Sequence, residues 1–382
     1  MQLHDERIDL LIACLKFSNS HEELATLRGT LMAEPEMLDC LLRTSDRRFM
    51  NAALVDGLGT KGILHPATPA PDKPMSTRTR LGQIRQIHEE RRAAQTSALK
   101  VILSELNDQG IEPLLVKGAV SLLTGKPSWR FQRDLDFAIH PDEVERTTDV
   151  LKQLGFRILK EMGQSHHHLD SMFHDDLGVA VEPHLRINGP RAARAVRGLP
   201  MMSSAVHAEV DCYKVRMLRP EYALLHGLVH HHFENRGGIY GLIGLKGLLE
   251  FAYALETLDE ETIAELNIVL QRAPRLAAAT ELWIAASRDW LGTTIPAALE
   301  PGSAANSRLA NITHRLSSPH TASMVAACYE DMAGVASVMS RNPIHAWRHV
   351  GALLSPVYDI IGNRPWSGRP RAMRAAGLLA FS

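Results

Sequence analysis

At 382 residues, 45% hydrophobic and 22% charged, the chain has the composition of an ordinary globular protein with room for about two or three domains. Lysine plus arginine (42) balances aspartate plus glutamate (43), which excludes a basic field over the whole surface of the kind that collects nucleic acid. Cys14, Cys40, Cys212 and Cys328 lie far apart with no C-x-x-C, which argues against a zinc or disulfide framework. With charged Asp5, Glu6, Arg7 and Asp9 near the start and no apolar run of membrane length, the expected setting is the cytoplasm, with no membrane partner.

The first 57 residues or so read as helical: Leu10, Leu11, Cys14 and Leu15 recur at helical spacing, as do Leu38, Leu41 and Leu42 after Pro35, and Gly57 and Gly59 close the region. Pro66, Pro69, Pro71 and Pro74 then mark a linker. The N-terminal helical region and linker are therefore placed at 1–75. A helix returns over Leu81 to Leu106, with Leu99, Ile102, Leu103 and Leu106 as its apolar stripe and Gly110 as its stop. Ile111 to Val116 reads as a strand that runs into Lys117-Gly118, and Ala119 to Leu123 begins a helix. After a loop with Gly125 and Pro127, Asp134 to Ile139 reads as a second strand.

Residues two apart on a strand share a face, so Asp134 and Asp136 project together, their Cα atoms about 6.5–7 Å apart. Two carboxylates so placed repel unless a cation lies between them, and hard divalent ions prefer oxygen ligands. Gly118, between strand and helix, suits the approach of a phosphate to backbone N–H groups. Lys117 can reach a phosphate oxygen or pair with one of the acids. Downstream, Pro141 with Asp142 and Glu143 starts another helix that Gly155 ends, and Phe156 to Leu159 follows as a strand. The alternation from Val179 sets Glu182 and His184 on one face and Val179 and Val181 on the other; Pro183 suggests an edge or irregular strand. Val210 to Leu218 is a further strand candidate, which places the central unit at 76–218.

From Pro220 onward the chain reads as helical, a C-terminal domain over 219–382: Leu224, Leu225, Leu228 and Val229 form one stripe and Leu242, Leu245, Leu248 and Leu249 another. Ala277 to Leu291 and Met324 to Met339 are further helices, and Arg369, Arg371 and Arg374 mark a basic tail. Two histidine triplets stand out, His166–His168 and His230–His232, with His226 one helical turn before the second. That spacing can serve zinc, but Gly227 stands where H-E-x-x-H has its glutamate. Arg191, Arg194 and Arg197 form a cationic row, either a solvated face or a dock for a phosphate-rich acceptor.

Lys117-Gly118, then Arg130 four residues ahead of Asp134-Leu135-Asp136, resembles the nucleotidyltransferase-like proteins of the DNA polymerase β superfamily. In particular it is similar to a poorly characterised bacterial family with a lysine-glycine, arginine, D-I-D signature. The resemblance covers roughly residues 90 to 255 and implies an α+β fold, a small mixed sheet flanked by N- and C-terminal helical regions. It implies Asp134 and Asp136 as catalytic metal ligands and Glu182, in an acidic-x-His pattern with His184, as the third carboxylate. Lys117, Gly118, Ala119, Arg130 and His184 are then nucleotide-binding. His168 and His230 fall where the family carries histidine, and Gly247 falls where it carries an aspartate. The implied cofactor is Mg²⁺, with Mn²⁺ as substitute, and the implied partner an NTP such as ATP. The implied reaction moves an NMP to a hydroxyl of an unidentified small molecule, sugar, peptide or RNA end, with release of pyrophosphate. Two other readings are an inactive nucleotide-binding scaffold that keeps the fold and a hydrolase using the histidine clusters with a transition metal.

Overall fold

A computed structural model describes residues 3–33, 35–46, 49–63, 77–160, 168–234 and 243–317. The expected linker prolines, His166 and His167, Leu242, the 324–339 helix and the basic tail lie outside the described residues. Four helices come first: α1 (Leu3–Leu15), α2 (His21–Ala33), α3 (Pro35–Asp46) and α4 (Asn51–Thr60). Helix α4 runs through Gly57 and Gly59 instead of stopping there, because the burial of Val55 and Leu58 outweighs the weak helix propensity of glycine. Helix α5 (Thr77–Asp108) ends as expected: Gly110 takes φ 71°, and Ile111 N–H turns back to the Leu106 carbonyl at 2.8 Å.

Seven strands form one mixed sheet among the described residues: β1 (Leu114–Leu115), β2 (Asp134–Ala138), β3 (Arg157–Lys160), β4 (Ser171–His174), β5 (Val179–His184), β6 (Val206–Val210) and β7 (Tyr213–Met217). Their order is β3-β4-β5-β2-β1-β7-β6. Between them lie α6 (Gly118–Thr124), α7 (Val144–Gln153) and α8 (Pro190–Ala195). The last expected strand starts later, at Tyr213 as β7, because Asp211 and Cys212 adopt φ 55° and 119° and turn the chain back from β6, which the sequence reading does not expect. Pro183 sits in an interior strand, not an edge. Its backbone faces β4 where that pairing has ended, and its carbonyl accepts from Leu169 N–H at 2.8 Å, so the missing N–H removes no bond to β2.

The sheet separates two cores. Leu115, Leu135, Phe137, Val179 and Val181 pack against α5, α6 and α7, with the stripe Leu99, Ile102, Leu103 and Leu106 fully buried over them. From the other face, Leu114, Val116 and Ala138 join a helical core. It is built from α1 to α4 together with α9 (Pro220–Val229), α10 (Leu245–Glu256), α11 (Glu260–Gln271), α12 (Pro274–Leu291) and α13 (Ser303–Ser317). The helices before and after the sheet are joined directly: Phe17 N–H donates to the Leu291 carbonyl at 2.8 Å, and Ser18 Oγ to that of Gly292 at 2.8 Å. Among the described residues no helix is long and apolar enough to cross a membrane.

Candidate active site

Strands β2 and β5 are parallel neighbours, with Asp136 opposite Glu182 and Ala138 opposite His184. Directly paired residues of a ladder project to the same side, so Asp134, Asp136, Glu182 and His184 occupy one face and Leu135, Phe137 and Val181 the other. A third segment joins this face. His168 bridges His184 in antiparallel sense, and the two rings lie 4.1 Å apart between centroids.

The charges on this face act on one another. Burial, then the neighbouring negative charges of Asp136 and Glu182, push the Asp134 carboxyl up to about 6, with Lys117 pulling the other way. Asp136 behaves oppositely. Burial would raise it, but the Lys117 ammonium at 3.1 Å and the His184 Nε2 hydrogen bond at 2.7 Å hold it below the usual carboxylate range. One acid is therefore satisfied by the protein, and the other carries the unrelieved repulsion of the cluster.

Lys117 reaches Asp136 from a turn in which the lysine itself takes φ 51° and ψ −120°, a sparsely populated conformation for a non-glycine residue. The turn is closed by Ala119 N–H on the Val116 carbonyl at 3.2 Å. That alters the expected phosphate cradle: the Ala119 amide is used inside the protein. Nor is positive φ the reason for Gly118. A Cβ there would run into the side chain of Gln132, which is 8% exposed and packed over the turn.

Two more expected nucleotide contacts are engaged elsewhere. Arg130 Nη2 binds Glu250 on α10 at 2.8 Å, and Lys246, one turn before Glu250, stands 3.7 Å from the same carboxylate. Burial would raise Glu250, but Arg130 and Lys246 bring it down to about 2. His184 is 1% exposed and its Nε2 is turned onto Asp136 Oδ1. The neighbour of Glu182 is instead His168, whose Nδ1 lies 3.8 Å from Oε2.

The second histidine cluster is inward-facing. His226 Nε2–H donates to the Ile187 carbonyl, 2.9 Å away, and Trp283 Nε1 donates to His232 Nδ1 at 3.2 Å. Burial pushes His226, His231 and His232 down to about 4 and holds His230 well below its ordinary value. His230 is close enough to feel the charges of Lys117 and Asp136. Gly247 is small because a Cβ would enter the His231 ring. The cationic row does not persist on a helix, since α8 ends at Ala195, short of Arg197. The residues that the sequence reading passed over are Gln132, Lys246 and Glu250. Of these only Lys246 and Glu250 carried a signal, a charge pair at i,i+4.

A mixed sheet with paired acids on a central strand and a third acid on its parallel neighbour is the framework of a nucleotidyltransferase. The chain belongs to the uncharacterised nucleotidyltransferase family, whose profile matches residues 38–291. It is similar to two solved structures. The antibiotic-resistance factor ANT(2'')-Ia matches at 14% identity over 47% of this chain and 92% of that one, with a TM-score of 0.34. An antigenic nucleotidyltransferase-like protein from Paracoccidioides brasiliensis matches at 18% identity over 52% and 93%, with a TM-score of 0.28. No curated protein matches the sequence.

Proposed function

We propose that this protein transfers a nucleoside monophosphate from an NTP to an acceptor hydroxyl in a Mg²⁺-dependent reaction, with Asp134, Asp136 and Glu182 holding the metal. The observation that carries the reading is the repulsion on this face. Three carboxylates share it, and their mutual charge, with burial, pushes Asp134 to about 6, a state that a divalent cation relieves. The all-oxygen donors of Asp134 and Asp136 suit Mg²⁺, with Mn²⁺ as substitute. When bound, the metal supplies positive charge at the attacking and leaving oxygens.

The chain's own groups do the rest. His184 and Lys117 fix the rotamer of Asp136 through 2.7 and 3.1 Å contacts, so that its second oxygen is aimed with little freedom. Lys117 is also the cation on the face nearest the acids, a point charge for triphosphate oxygens. Glu182, half-buried beside Asp136, accepts the proton of the acceptor hydroxyl as its oxygen bonds to the α-phosphorus. The bond from that phosphorus to the bridging oxygen breaks, and pyrophosphate leaves with the electron pair. Such a reaction depends on positioning and charge more than on covalent chemistry.

The test is mass analysis of candidate acceptors, and of the protein itself, after incubation with each NTP and Mg²⁺. A product heavier by one NMP, with equimolar pyrophosphate, is expected, and Asp134→Asn and Asp136→Asn should each slow it by on the order of 10²-fold or more. Tight Mg²⁺-NTP binding with no product on any acceptor would favour the scaffold reading instead.

A further inference from the structure

We infer that His168, Glu182 and His184 form a second metal site, built for a borderline divalent ion of the zinc class rather than for Mg²⁺. Among the described residues these three are the group of metal-capable side chains whose donor atoms all lie within 4.8 Å of one another. They come from two segments that the backbone locks together: Glu182 and His184 are two apart on β5, and His168 is bridged to His184 on the adjoining chain. Leu169 N–H holds that crossing by donating to the Pro183 carbonyl at 2.8 Å. The placement is therefore set by sheet geometry and not by long, free side chains.

The bonding around the histidines is that of ligands. Asp136 also pairs with the Lys117 ammonium at 3.1 Å, and a carboxylate can only accept, so in the 2.7 Å contact His184 Nε2–H donates to it. That fixes the tautomer and leaves Nδ1 as the acceptor nitrogen of the ring, the carboxylate–histidine pairing that orients a metal-binding imidazole. His168 Nδ1 and Glu182 Oε2 stand 3.8 Å apart, too long for a hydrogen bond. It is close to the roughly 3.4 Å that two ligands at about 2.1 Å span around one tetrahedral ion. Two imidazoles and one carboxylate are a donor set for zinc and its neighbours, with open positions left for water or substrate, whereas Mg²⁺ takes oxygen.

This site meets the proposed Mg²⁺ site at Glu182, but its two histidines belong to it alone. Its place gives it a use in the same chemistry: an ion there lies beside the acid assigned to the acceptor hydroxyl, and would bind that oxygen as a Lewis acid.

The experiment uses the full chain, stripped with chelator and titrated with Zn²⁺ and with Mg²⁺ against a chromophoric competitor. One equivalent of Zn²⁺ should bind at least about 10²-fold more tightly than Mg²⁺. His168→Ala should weaken Zn²⁺ by at least about tenfold while melting like the parent without metal, and Glu182→Gln should weaken it too. The Co²⁺-loaded parent should show a visible absorption band that His168→Ala loses. Equal affinities for the two ions, or unchanged Zn²⁺ binding in His168→Ala, would overturn the site, the latter by placing the ion at other histidines. Asp134→Asn separates the two readings. It should keep Zn²⁺ affinity within about threefold while losing its response to Mg²⁺-NTP; loss of Zn²⁺ as well would show a single all-acid site and overturn the second one.

Discussion

On one face of β2 and β5 lie Leu135, Phe137, Val179 and Val181, packed under α5, α6 and α7; from the intervening positions of the same strands, Asp134, Asp136, Glu182 and His184 project the other way. The apolar face stabilises the fold by leaving water. The acidic face opposes it, since burial and like charge raise Asp134 to about 6. In the proposed reaction this face is kept for a cation. The comparison also shows why the site is precise: its acids stand on the same backbone that the apolar core holds rigid.

The largest effect should come from the apolar side. Phe137 is fully buried, and Phe137→Ala should destabilise the chain by about 3–5 kcal/mol through lost burial and a cavity, measured by denaturant unfolding. A loss below about 1 kcal/mol would mean that the sheet does not rest on this core.

A smaller effect is expected where the two faces meet the turn. Gly118→Ala forces a methyl group into Gln132 and should destabilise by about 1–3 kcal/mol. Combining it with Gln132→Ala should recover part of that loss, since the contact with the Gln132 amide is removed while that with its Cβ, 2.9 Å away, remains. If the double variant shows no recovery, the contact is not the reason for the glycine, and the phosphate-approach explanation regains its place.

Per group and per pH unit the smallest effect is with pH, and its sign follows from burial. His226, His231 and His232 sit at about 4 in the fold against an ordinary value near 6.5, so the unfolded chain binds their protons first as pH falls. Stability is full above about pH 6.5 and should drop between 6.5 and 4 by on the order of 1 kcal/mol per unit for each histidine. Asp134 works against this trend over the lower part of the range, relieving strain as it protonates below about 6. Melting temperatures that stay flat from pH 6.5 to 4 would contradict the inward placement of the histidine cluster.

The alternation of β2 and β5 was legible because it is local: period two, an acid or an apolar residue at each step, and a Lys-Gly turn ahead of it. Partners were not, because they arrive from distant segments. Nothing near Arg130 announces Glu250, 120 residues on. Nothing near Glu182 singles out His168 from its triplet until the sheet bridges it to His184. The turn shows a different limit. Sequence reading singles out the glycine, for phosphate approach, whereas the positive φ falls on Lys117, held there by Asp136 and by the Ala119–Val116 bond. We propose the chain division at about residues 76 and 219 as marking the sheet unit, with the helices on either side sharing one core.

The paired acids differ in a way that one measurement can use: thermal melts at pH 7 of the parent, Asp134→Asn and Asp136→Asn, each with and without Mg²⁺-NTP. Asp134 has a raised value, so its charged form is disfavoured by the fold, and the penalty, present in full above about pH 6, disappears on substitution. Asp134→Asn should therefore melt at or above the parent without ligand. Asp136→Asn should melt below it, having lost the Lys117 ion pair and weakened the His184 hydrogen bond. The parent should gain stability from Mg²⁺-NTP, and both variants should lose that gain. If Asp134→Asn melts lower than the parent without ligand and still responds fully to Mg²⁺-NTP, these acids serve the fold alone and the nucleotidyl-transfer account is wrong.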